Sequence, residues 1–151
     1  MSEYSFSARA GFQVALFAAS VLVFSLAVAG AHQDAAVEPA EPVTTASGLV
    51  YEELQAGTGA SPRSSDTVRV HYHGTLTDGS VFDSSVERGQ PIDLSLQRVI
   101  ACWQEGIPMM KEGGKSRLTC PAKIAYGQRA LGGIPAGSTL IFEVELIQVR
   151  R

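Results

Sequence analysis

Residues 68–85 read VRVHYHGTLTDGSVFDSS. In the first half Val68, Val70 and Tyr72 alternate with Arg69, His71 and His73, the period of two that a half-buried strand requires. Asp78-Gly79 follows, a pair that favours a tight hairpin because the turn needs backbone conformations with positive φ. SVFDSS therefore runs back antiparallel. His71 and His73 share one face and could offer two ligands to a metal, but the third histidine of the chain, His32, lies in a linker, so a closed site finds no partners. Tyr72, on the face of the valines, is the residue of interest. No metal and no cofactor is expected.

Working outward, LVYEEL (49–54) reads as a first strand, ended by the Gly- and Pro-containing loop QAGTGASPRSSD. KSRLTCPA alternates as another strand up to Pro121. STLIFEVELIQVRR sets Leu140, Phe142, Val144 and Leu146 on one face against Ile141, Glu143 and Glu145, and is the clearest strand of the chain. PIDLSLQRVIACWQEGIPMM places Val99 and Ile100 three or four residues before Trp103. That is helical spacing, and Gly106 and Pro108 should stop the helix after about two turns. Several antiparallel strands with one short helix give an α+β domain whose sheet covers its apolar face with that helix. AKIAYGQRALGGIPAG, between the last two strands, is too long for a tight hairpin, and loops of that length are often functional.

The 151 residues leave room for one packed domain. Residues 1–31 carry Arg9, an apolar run from about Val14 and a small-residue end, the order of an export signal, or of an N-terminal anchor if it is not cut. Residues 32–47, HQDAAVEPAEPVTTAS, lack an apolar period and read as a disordered linker, so the folded domain is expected over 48–151. From Ala46 onward 11 basic residues balance 11 acidic ones. Nucleic-acid binding therefore lacks its electrostatic footprint. Export permits a disulfide between Cys102 and Cys120, 18 residues apart, while two buried thiols fit the sequence equally well.

Other chemistries find no support. GGKS (113–116) lacks the earlier glycine of a phosphate-binding loop, since position 109 is Met, and a strand follows it; it is a turn. No GxSxG is present, and the serines of FDSS have no histidine–acid pair nearby in sequence. Asp83 alone would be an ordinary turn residue. Tyr72, Phe82, Trp103, Tyr126 and Phe142, with Val99, Ile100 and Ile134, hold most of the large apolar surface. Two tyrosines among them suggest a cavity with polar tips at its wall.

VHYHGTLTDGSVFDSS, VIACWQEGIPMMKEGGKSRLTCPAKIAYG and IPAGSTLIFEVEL closely resemble, in order and spacing, the FKBP-type peptidyl-prolyl cis-trans isomerases, over residues 47–150. The resemblance implies a curved antiparallel sheet wrapped around one short helix. It makes Trp103 the floor of a proline pocket and Tyr72, Phe82, Val99, Ile100 and Phe142 its walls. Tyr126 would donate its hydroxyl to a substrate carbonyl and the Ile100 N–H would hold another. Asp83 would lie beside Tyr72, and Ile134 would cover the proline. Ile92 stands where many members carry an aromatic residue, which should leave that wall less tightly closed.

The expected function is acceleration of Xaa-Pro isomerisation during the folding of exported proteins. The partners would be proline-containing unfolded chains, with macrolides such as tacrolimus or rapamycin as inhibitors. Location would be periplasmic in a Gram-negative cell. A short segment before the fold points to a monomer. The alternative is a proline-peptide-binding module or holdase chaperone with little catalysis.

Overall fold

The computed structural model describes residues 40–151. The expected export signal and residues 32–39 of the linker lie outside the described residues. Strands β1 (Val43–Thr44), β2 (Val50–Gln55), β3 (Thr67–Leu76), β4 (Val81–Ser84) and β5 (Ile92–Ser95) precede the helix α1 (Ala101–Gly106). Strands β6 (Lys115–Cys120) and β7 (Leu140–Arg150) follow it. All seven strands form one curved antiparallel sheet in the order β1-β2-β6-β7-β3-β4, with β5 paired to the other end of β3. The α+β architecture expected from alternation is the one observed.

β3 organises the sheet. One of its edges pairs along its whole length with β7, from Thr67 opposite Arg150 to Leu76 opposite Leu140. The other edge takes β5 against Thr67–Val70 and β4 against His73–Thr75. Val68, Val70 and Tyr72 are buried, while Arg69, His71 and His73 are only partly so. β7 does the same with Leu140, Phe142, Val144 and Leu146 until a bulge at Ile147 breaks the register. The pleat has sorted side chains into an apolar inner face and a polar outer one.

Three features differ from the sequence-based expectation. Val43–Thr44, expected within a disordered linker, pairs with Tyr51 and Val50, so the ordered chain begins before residue 48. The segment IDLS, assigned to no element from the sequence, is a strand, β5. Val99 and Ile100 precede α1 in extended conformation, Ile100 as its N-cap. Gly106, expected with Pro108 to stop the helix after about two turns, is indeed its last residue, with right-handed backbone. Its role is close packing: a Cβ there would lie 2.8 Å from Leu118 of β6.

A six-residue helix is too short to persist by itself. Tertiary contacts hold it. Cys102 and Trp103 are buried against the sheet, and Cys102 is disulfide-bonded to Cys120 at the end of β6, with Cα atoms 5.8 Å apart. The bond decides between the two cysteine readings that the sequence left open.

Candidate functional site: an aromatic pocket on the inner face

A cavity of about 220 Å³ opens between the inner face of the sheet and α1. That is below the roughly 300–1,000 Å³ of sites for drug-sized molecules, so it suits a single ring-sized side chain and the backbone beside it. Tyr72 of β3, Phe82 and Asp83 of β4, Val99 and Ile100, Trp103 of α1, Tyr126 and Phe142 of β7 all line it. Eight of the nine site residues chosen from sequence thus meet around one cavity. The ninth, Ile134, lines an adjoining cavity of about 210 Å³ that shares Phe82, Asp83 and Tyr126 with the first.

The aromatic rings interlock. Trp103 is 5% exposed and stands edge-on between Tyr72, at 5.4 Å, and Phe142, at 5.2 Å. Phe142 in turn meets Phe82 edge-on at 5.5 Å. T-shaped contacts at these distances satisfy the ring quadrupoles and fix each ring by its neighbour. The indole Nε1 of Trp103 is buried without a hydrogen-bond partner among the described residues.

Local irregularity aims Phe82. Gly74 pairs with Asp83 but Thr75 pairs with Val81, so Phe82 is the extra residue of a β-bulge, a device that turns a side chain away from its regular direction. Gly74 supplies the room, since a Cβ there would come within 2.6 Å of the Phe82 ring. Ser85 secures the neighbouring stretch: its hydroxyl accepts the Tyr72 N–H at 2.8 Å, and its N–H donates to the Tyr72 carbonyl at 2.9 Å.

The polar part of the wall is a three-residue network. The Tyr72 hydroxyl donates to one Asp83 oxygen, Arg88 pairs with the other, and Arg88 Nη2 donates to the Tyr72 hydroxyl at 3.1 Å. The Arg88 guanidinium also lies over the Tyr72 ring, 5.8 Å from its centre. Burial pushes the Tyr72 phenol up, and its bond to Asp83 raises it further against the opposing pull of Arg88. Desolvation raises Asp83, but the Tyr72 hydroxyl and Arg88 together outweigh it and hold the carboxyl below its ordinary value. Asp83 is therefore ionised and Tyr72 neutral across the middle of the pH range. By contrast, the Ile100 N–H and the Tyr126 hydroxyl make no hydrogen bond among the described residues.

Leu94 and Arg98 also line the cavity, beside Ile92, and Arg88 supports it from behind Asp83. None of these three was singled out from sequence. Ile92 and Leu94 do alternate around Asp93, but four residues give a weak signal. Arg88 is five residues from Asp83 across a turn, and only the folded hairpin end brings them together. His71 and His73 face away from the pocket, toward Ser85 and Ser84 at 3.1 and 3.0 Å. Among the described residues no group of three or more His, Cys, Asp or Glu side chains is placed to hold a metal ion.

The sequence profile of the family described as FKBP-type peptidyl-prolyl cis-trans isomerase matches residues 59–147. The chain belongs to this family. FkpA of Aeromonas hydrophila, an FKBP-type isomerase by name, is 48% identical over 108 residues, which are 72% of this chain and 40% of that protein. The crystal structure of FkpA from Escherichia coli has a TM-score of 0.70 at 48% identity, over 72% of this chain and 51% of that one. A peptidyl-prolyl cis-trans isomerase structure from Pseudomonas syringae pv. tomato scores 0.68 at 38% identity, over 73% and 81%. The chain spans about 40% of the length of the FkpA relatives from Aeromonas and E. coli K12.

Proposed function

We propose that this protein is a peptidyl-prolyl cis-trans isomerase that acts on exported polypeptides, with the aromatic pocket as its active site. The observation that carries the reading is the ring-lined cavity around Trp103, whose lining among the described residues includes no Ser, Thr, Cys or Lys side chain. Isomerisation of an Xaa-Pro bond makes and breaks no covalent bond to another atom. It is slow because amide resonance must be lost, a barrier of about 18–20 kcal/mol, and it takes tens to hundreds of seconds unaided. The twisted transition state has given up much of the charge separation that water solvates in the planar amide. An apolar pocket that removes this water destabilises the ground state more than the transition state, and only that difference accelerates the reaction.

In this reading the proline ring sits against Trp103, between Tyr72, Phe82, Val99 and Phe142. The Tyr126 hydroxyl and the Ile100 N–H, both without a hydrogen-bond partner among the described residues, take carbonyl oxygens of the bound segment and hold it twisted. The Tyr72–Asp83–Arg88 network keeps the wall rigid, and Ile134 closes the neighbouring cavity. The family membership supports proline-containing unfolded chains as substrates and macrolides such as tacrolimus or rapamycin as competing ligands. The Cys102–Cys120 bond supports an oxidising compartment, in keeping with residues 1–31 as an export signal and a periplasmic location in a Gram-negative cell.

Exchange between cis and trans forms of an Xaa-Pro peptide, followed with and without the purified protein, tests the proposal. A concentration-dependent rate increase, abolished by a macrolide, is the expected result. An unchanged rate with retained peptide binding would leave a holdase.

A further inference from the structure

Two charged residues line the pocket, Asp83 and Arg98. Their situations differ. Asp83 is engaged by Arg88 and by the Tyr72 hydroxyl, so its charge is already compensated. Arg98 enters no salt bridge among the described residues, and its side chain is exposed. With the Asp83 charge compensated by Arg88, Arg98 is the one lining charge without a salt bridge among the described residues.

The backbone that carries Arg98 is held at both ends. Leu96, at the start of the short 3-10 turn 96–98, is fully buried and its N–H donates to the Asp66 carbonyl at 3.1 Å. Beyond the turn, the Gln104 side chain donates to the Val99 carbonyl at 2.9 Å. Val99 and Ile100, which follow directly, are themselves in the pocket wall. The backbone of Arg98 is thus held at the cavity wall, and its guanidinium, with planar donors suited to a carboxylate, lies among the residues that line the cavity.

We infer that Arg98 is a specificity-determining residue that favours client segments carrying an acidic side chain next to the proline. This rests on the isomerase reading of the pocket and adds the charge preference. Because the pairing is solvent-exposed, it discriminates modestly and is weakened by salt.

The test uses two series of Xaa-Pro peptides, with Glu, Gln or Lys immediately before the proline in one and immediately after it in the other. The whole protein, Arg98→Gln and Arg98→Glu are compared, each normalised to its own Gln peptide. The wild-type protein should favour Glu over Lys by about two- to fivefold in kcat/KM in at least one series. Arg98→Gln should bring that ratio near one, Arg98→Glu should invert it, and about 0.5 M salt should compress it. The same Glu-to-Lys ratio in wild type and Arg98→Glu, in both series, overturns the inference. If the wild-type protein does not isomerise the Gln peptide, the isomerase reading is what fails. The ratio is then read from binding, by fluorescence of Trp103, the one tryptophan of the chain, and the same inversion is required.

Discussion

The two faces of the sheet are built from the same strands and do opposite things. On the inner face, Tyr72, Phe142 and Trp103 interlock edge to face, and Asp83, the one carboxylate lining the pocket among the described residues, is compensated by Arg88. On the outer face Arg117 bridges Glu52 and Glu143, Lys115 also pairs with Glu143, and Arg69 makes two bonds to Asp93. These outer pairs are partly solvated, and exposed ion pairs contribute at most about 1 kcal/mol each. Polar groups are thus abundant where they contribute little and scarce where isomerisation needs a dry surface. β3 shows the separation within three residues, since His71 and His73 look outward and Tyr72 between them looks in.

The contrast breaks most severely at Phe142. Phe142→Ala removes a ring that contacts both Trp103 and Phe82, and should cost about 3–5 kcal/mol in denaturant unfolding together with most of the catalysis. His73→Ala, one position from Tyr72 but on the outer face, loses its hydrogen bond to the Ser84 hydroxyl and should cost only about 0.5–1.5 kcal/mol while leaving kcat/KM as it was. Equal losses from the two would show that the faces are not functionally distinct.

Next in size is the cross-link beneath the pocket. Replacing Cys102 and Cys120 together by Ala frees a loop of 18 residues and should lower stability by about 3 kcal/mol, seen as a fall in melting temperature that the wild-type protein reproduces when reduced. A smaller effect is expected from Gly74→Ala. Its new Cβ meets the Phe82 ring, so overpacking of about 1–3 kcal/mol should accompany a drop in kcat/KM as the ring is pushed out of place. A Phe82→Leu change in the same background should restore part of the lost stability.

The smallest effect concerns pH. Asp83 has a lowered folded value, so its network is complete above the ordinary carboxyl range near about 4 and fails only as pH falls through that lowered value. Tyr72 has a raised value, so its contribution is complete below the ordinary phenol value of about 10 and is lost as pH rises through the raised one. A plot of kcat/KM against pH should therefore be flat from about 5 to 9. A step near neutrality would place a histidine in the reaction, against the orientation of His71 and His73.

Much of this was legible in the chain. Alternation along β3 and over the first seven residues of β7, Leu140–Leu146, assigns each side chain to a face, because a strand's period is two and its long runs leave little ambiguity. The hairpin at Asp78-Gly79 was equally plain, as Gly79 takes the left-handed φ of 86° that the turn needs. Short pieces were not. β1 has two residues and β5 four, too few to show a period, and each exists because a neighbouring strand offers an unpaired edge. The helical spacing of Val99, Ile100 and Trp103 was misleading, since the first two are extended and enter the pocket by position and not by periodicity.

By itself, then, the sequence determined which residues face inward, that the sheet is antiparallel, and which aromatic residues must share a core. Those outcomes follow from the local geometry of the chain. Only the tertiary structure decided that Cys102 meets Cys120, that Arg88 compensates the charge of Asp83, that Gly74 makes room for Phe82, and that Arg98 lines the pocket with no salt bridge among the described residues. Each is a contact between backbone segments whose separation is set by strand order and register, and such distances are properties of the assembled sheet.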